Sequence, residues 1–428
     1  VEKVVKETVV VEKEVVVEKQ VKPAQKPIVR LWHNWTGGVG SYANALTVLA
    51  ERFNEAHTDI YCDLTYIALT GGTQASEKLM ASIAGGIPPE ATFFDRFLTA
   101  TWAARELLTD LTPLADQSGI TEDMFFPFAW GESTYKDKLY TIPWDTDGRK
   151  LYSDVAALKE AGFHEPPKTW DEMDAYAEKL TIEEGGRLKQ LGFVQWYGSW
   201  LPTWAHVAAG KSQNVMWDFE KETCAVNTEP WIEAAEWLLS YAEKYDVERI
   251  DSFTSAFGQE TLSPFCMGQL AMRWGGSWMM GLYDKWCPEK EALVSHAPGP
   301  DGPSKINMAG GWSTTIPMGV PDNMLDPAWE VLLFYHSPES QDYFFKETTN
   351  WPVLVEVTKD PFYSDTPGKK VFWESLSEQW NRPSIPEIQL LCTEINKAQD
   401  LIIHGKKRPK EALDETARVV NEAMEQWR

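Results

Sequence analysis

The chain has 428 residues, with 40 Lys and Arg against 64 Asp and Glu, a formal charge of −24 and a pI near 4.8. That length allows two or more domains with separate cores. The charge excludes a nucleic-acid partner, which needs basic patches to displace counterions, and excludes adhesion of the folded body to anionic membranes. Residues 1–22 hold ten Val, five Glu and five Lys, with no aromatic residue and no settled period, and Pro23 and Pro27 follow. They read as an extended, charged tether over 1–27, with pairing onto the body or another chain as the competing reading. The chain begins at Val1 rather than Met, so a signal peptide is expected to have been removed or left out. No run of about 18 apolar residues occurs, so no helical membrane span is expected.

Order begins at 28–35, a β-branched run broken by Thr36, Gly37 and Gly38. A helix follows, with Tyr42, Ala45, Leu46, Leu49 and Phe53 at helical spacing, and then an alternating strand over 60–67. Strand, Gly-containing loop, helix and strand make a βαβ unit, which implies a parallel sheet. Ligands in such sheets sit beyond the carboxyl ends of the strands, where Trp35 and Thr36 fall. Residues 77–83 read as a helix and 91–94 as a short strand leading into Asp95 and Arg96. The stretch 140–152, Y-T-I-P-W-D-T-D-G-R-K-L-Y, reads as a crossing strand between lobes. Alternation puts Asp145 and Asp147 on one face, with Trp144 and Thr146 on the other. Helices are expected near 154–161, after the Thr169–Glu172 capping box, after Pro230 and after Pro409.

Trp is the outlier in composition, at 21 residues. Six of them (Trp35, Trp144, Trp200, Trp274, Trp278 and Trp312) lie in Gly- or Ser-flanked stretches, and two or three of these are expected in cores. The others would offer flat faces suited to the C–H faces of a sugar. Five Cys without a C-x-x-C give no zinc spacing; one bridge is possible, its pairing open, and buried free thiols are expected for most. The chain has no G-x-S-x-G elbow, no H-E-x-x-H and no P-loop. Asp145-Thr146-Asp147-Gly148 departs from a calcium loop, with Gly too early and Ala156 at position twelve. No metal or cofactor is expected.

Five motifs together carry a resemblance: the opening W-H-N-W-T-G-G loop, the K-D-K-L-Y-T-I-P-W-D-T-D-G-R-K-L-Y crossing, A-L-K-E-A-G-F with P-P-K-T-W-D-E-M, M-G-Q-L-A-M-R-W-G-G-S-W, and A-G-G-W-S-T-T-I-P. From about Ile28 to the C-terminus the chain resembles the sugar-binding proteins of ABC transporters, the extracellular solute-binding family that includes maltodextrin binders. The resemblance implies an α/β, two-lobed periplasmic-binding-protein fold with hinge-linked lobes and mixed, mostly parallel sheets. It implies a first lobe of 28–143 plus 315–350 and a second of 144–314 plus 351–428. Carried over residue by residue, ligand contacts are expected at Trp35, Thr36, Asp95, Arg96, Trp144, Asp145, Asp147, Trp200, Gly276, Trp278, Trp312 and Arg382. The late helix reads I-Q-L-L-C-T where maltodextrin binders carry a Trp, which favours a shorter or different glycan.

The function expected from this resemblance is extracytoplasmic capture of a mono- or oligosaccharide by a monomeric, non-enzymatic subunit that delivers to ABC permease subunits. An N-terminal lipid anchor is expected with it. Two other readings stay open: a glycoside hydrolase using Asp145 and Asp147 as its carboxylates, and a binder of a non-sugar solute such as a polyamine.

Overall fold

A computed structural model of the chain describes residues 26–36, 41–68, 76–211, 215–258, 262–348 and 350–428. The expected tether lies almost wholly outside the described residues. The first lobe is built on a five-stranded sheet in the order Tyr61–Tyr66, Ile28–His33, Ala91–Asp95, Trp312–Thr315 and Ile142–Pro143. The first three strands are parallel, with Ile28 opposite Tyr61 and Leu31 opposite Ala91. The last two pairings are antiparallel, so the sheet is mixed. The expected βαβ unit is present. Helix Tyr42–Ala56 is capped by Ser41 and buries Ala45, Leu46, Leu49 and Phe53 against the sheet.

The second lobe centres on strand Arg149–Asp154, flanked by Met272–Gly276 and Ala292–Ser295. Both pairings are antiparallel, so the parallel character is concentrated in the first lobe. Helices cover this sheet as the capping signals imply. Thr169 accepts from the Glu172 amide ahead of helix Trp170–Leu180, and Pro230 lies in the first turn of Glu229–Tyr245. Their apolar stripes meet in an aromatic core where Trp170 stacks on Trp237 at 4.4 Å, with Trp204 and Trp274 beside them. Each such ring removes about 150–250 Å² from water, which makes this core a main source of the lobe's stability.

Three segments join the lobes: 144–148, 309–311 and 350–352. Trp351 and Pro352 pair with Thr146 and Asp145, and Trp144 donates its amide to the Trp312 carbonyl at 2.9 Å. The expected boundary at 314 falls inside a strand of the first sheet, where Trp312 pairs with Asp95 and Ser313 with Phe94. Trp312, Ser313 and Thr314 therefore belong to the first lobe. Val353 and Leu354, just past the third segment, still meet Phe126 and Phe125.

Candidate functional site

The parallel strands Ile28–His33 and Ala91–Asp95 end side by side, as a parallel register demands, and their carboxyl ends open a pocket. Trp32, His33, Asn34, Asp95 and Trp312 line it. Burial pushes the His33 imidazole down to about 4, so the ring is neutral near pH 7. Trp35 is half-buried against Tyr42, Phe93 and the edge of Trp312, the two nearest centroids at 4.8 Å. Thr36 is exposed beyond it. The Asp95 carboxylate caps the turn at Phe97 and lies 3.8 Å from the Arg382 guanidinium.

Three of the expected contact residues lie buried at the crossings. Trp144 has no exposed surface, and its ring is held by Phe93, His336, Phe344 and Phe345. Arg96 is equally sealed. It donates to Glu132 at 3.0 Å and to the carbonyls of Asp145 and Gly310 at 2.6 and 2.8 Å, so it ties two crossings together. Asp145 is buried too, accepting from the Tyr42 hydroxyl at 2.6 Å, the Trp312 amide at 2.5 Å and the Asn350 amide at 2.8 Å. Desolvation raises its carboxyl to about 6 against the pull of those donors. Strand alternation puts Asp145 and Asp147 on one face, and both do abut the 310–311 backbone. A methyl on Gly310 would stand 2.2 Å from Asp147 Oδ1, and one on Gly311, whose φ is +135, 2.9 Å from Asp145 Oδ1. Another crossing covers each side of residue 145, however, so neither face is open there.

Beyond Gly148 the wall continues on the second lobe. Asp147, its side chain 17% exposed, pairs with Arg149 at 3.0 Å, and the Arg149 guanidinium lies 5.6 Å from the Trp278 ring centroid. The Trp278 ring covers Gly276 so closely that a Cβ there would sit 1.9 Å from it, which requires glycine. Trp200, half-buried ahead of helix Leu201–Ala209, directs its indole N–H to the Met308 sulfur at 3.3 Å. Arg382 is nearly buried. It donates to Glu132 at 3.0 Å and lies over the Phe97 ring.

The structure thus brings Trp35, Asp95 and Trp312 together on one lobe and Asp147, Gly276 and Trp278 on the other, with the 309–311 crossing between them. Trp200 joins through Met308. Trp144, Asp145 and Arg96 form the joint behind this wall. Tyr42 reads in the sequence as part of a helix's apolar stripe, and Glu132, Arg149 and Asn350 are not among the expected contacts. Arg149 stood inside the D-T-D-G-R stretch and was the findable one. Cys266 is half-buried and bridged to Cys287.

A family model described as bacterial extracellular solute-binding protein matches residues 48–371. The sn-glycerol-3-phosphate-binding periplasmic protein of Pectobacterium atrosepticum is 23% identical over 422 residues, covering 90% of this chain and 88% of its own. A solute-binding protein from Thermotoga lettingae, solved with α-D-tagatose, superposes with a TM-score of 0.76 at 21% identity, over 93% of this chain and 99% of its own. The sugar-binding protein MalE of Xanthomonas citri gives 0.73 at 19% identity, over 94% and 98%.

Proposed function

The chain belongs to the bacterial extracellular solute-binding proteins, and from that membership we propose that it captures a mono- or oligosaccharide, or a polyol of similar chemistry, for an ABC importer. The observation that carries this reading is the wall at the crossings, where Trp35 and Trp312 meet Asp95 on one lobe and Trp278 meets Asp147 and Arg149 on the other. Indole faces stack on ring C–H groups, and fixed charges hydrogen-bond hydroxyls. Hinge closure about the crossings expels water and strengthens each of those bonds, and ligand acts by shifting the open–closed equilibrium toward the form the permease reads. The tagatose-bound and glycerol-3-phosphate-binding relatives support small hydroxylated solutes. A hydrolase needs two carboxylates flanking one bond, and the burial of Asp145 leaves Asp147 without its pair.

A thermal-shift panel of mono- and disaccharides, polyol phosphates and polyamines tests the reading, since ligand at about 100 times its Kd adds about 2.7 kcal/mol of stability. Protection by polyamines alone would overturn it. Release of reducing sugar in the same mixtures would restore hydrolysis. Residues 1–27 serve as a tether on a monomeric body, so a chain starting at Ile28 should bind within about threefold, near 0.7 kcal/mol, of the full chain. The native protein should carry acyl chains by mass spectrometry.

A further inference from the structure

Strand Met272–Gly276 sends Met272 and Trp274 into the second-lobe core and Arg273 to the opposite face, beside Tyr152 and Tyr283. There Arg273 lines a pocket of about 110 Å³ with Tyr197, Ser263, Met279 and Tyr283. The residue is 9% exposed, and its Nε is sealed with no hydrogen-bond partner. Among the described residues no carboxylate lies within ion-pair distance of it. Its neighbours are aromatic. The guanidinium lies 5.3 Å from the Tyr197 centroid, and the Tyr283 hydroxyl sits in its field without a well-formed hydrogen bond. Gly198, at φ +81 and closed against the Trp274 carbonyl, keeps side-chain bulk away from the guanidinium.

A buried charge without a counter-charge is strongly unfavourable. A lysine could escape by losing its proton, but an arginine stays charged. The other two nearly buried cationic forks near the cleft, Arg96 and Arg382, share Glu132. Arg273 has no such partner among the described residues. The pocket and the candidate wall draw on the same two segments, Tyr197 lying three residues before Trp200 and Met279 following Trp278. We propose that this pocket is an anion subsite, in which the Arg273 fork takes the carboxylate or phosphate of an acidic solute. Resting on the solute-capture reading above, this makes the captured ligand an acidic sugar or a sugar or polyol phosphate rather than a neutral sugar. The two oxygens of either group match the fork bidentately, and Tyr283 supplies a further donor.

Calorimetry of the full chain with inorganic phosphate, glucuronate, glucose 6-phosphate and glucose tests this. Phosphate alone should bind, the acidic probes should bind at least tenfold tighter than glucose, and the tighter of the two identifies the group. Arg273→Gln should weaken phosphate and acidic probes at least tenfold, Arg273→Lys less, and the Gln variant should melt no lower than the parent. The subsite is overturned if phosphate does not bind, if Arg273→Gln binds it like the parent, or if that variant melts several degrees lower, which would make Arg273 a structural group. Phosphate binding that depends on Arg273 while every sugar fails would keep the subsite and sink the sugar reading. Tight glucose binding indifferent to Arg273 would do the reverse.

Discussion

At Asp145 desolvation works against three donors, and desolvation prevails, raising the carboxyl from 3.8 to about 6. A carboxyl whose folded pKa lies above its unfolded value holds its proton more tightly when folded. Its contribution is full below the unfolded value and is lost as pH rises through about 6. Buried His33, His206 and His336, pushed down to about 4, 3 and 3 by burial, act in the other sense and lose stability as pH falls below about 6.5. Asp145 therefore offsets part of the acid loss. Asp145→Asn should steepen the fall of unfolding free energy by about 1.4 kcal/mol per pH unit between pH 4 and 6. Urea titrations at pH 4, 5, 6 and 7 read this directly, and an unchanged slope would mean the carboxyl is solvated after all. The residue types of the site were legible in the sequence, but their depth was not. A D-T-D pair at strand spacing looks alike whether one segment or three cross there, and only the neighbours from 311 and 350 decide it.

Among the elements, the joint between the lobes depends on an ionic chain no local pattern announces. Glu132, at the end of helix Pro127–Ser133, accepts from both Arg96 and Arg382 and is itself 3% exposed. Arg96 then grips the carbonyls of two crossings. Removing the carboxylate leaves two buried guanidiniums without it, so Glu132→Ala should cost about 3–5 kcal/mol of stability. Chemical denaturation checks this, and a loss under about 1 kcal/mol would show water taking its place. The helices and the first βαβ unit were readable because caps and apolar periods are local signals, as at Thr169 and Pro230. The crossings were harder. They are short, and residue 145 meets the other two crossings across 167 and 205 residues of sequence, at Trp312 and Asn350. That is why the second boundary was expected at 314, inside a strand.

Across the whole molecule, one covalent tie bears on the wall. Helix Trp278–Trp286 starts at the wall and ends at Cys287, whose bridge to Cys266 closes a 21-residue separation. Disulfides persist in oxidising compartments, in keeping with an extracellular family. Cys62, Cys224 and Cys392 are free, and burial pushes their thiols up to about 12, 11 and 12, so they are poor nucleophiles for exchange. Mild reductant should therefore open this bridge alone, with alkylation and mass mapping placing new label on Cys266 and Cys287 only. In the chain-entropy account a loop of this size restrains the unfolded state by about 3 kcal/mol, so reduction, or the double change Cys266→Ser with Cys287→Ser, should lower unfolding free energy by that order. Ligand affinity should shift less than about threefold, because the folded wall around Gly276 and Trp278 is held by packing and not by the bridge. If affinity instead falls tenfold while stability barely changes, the bridge acts on the folded state. It would then set the angle at which the Trp278 helix meets the ligand.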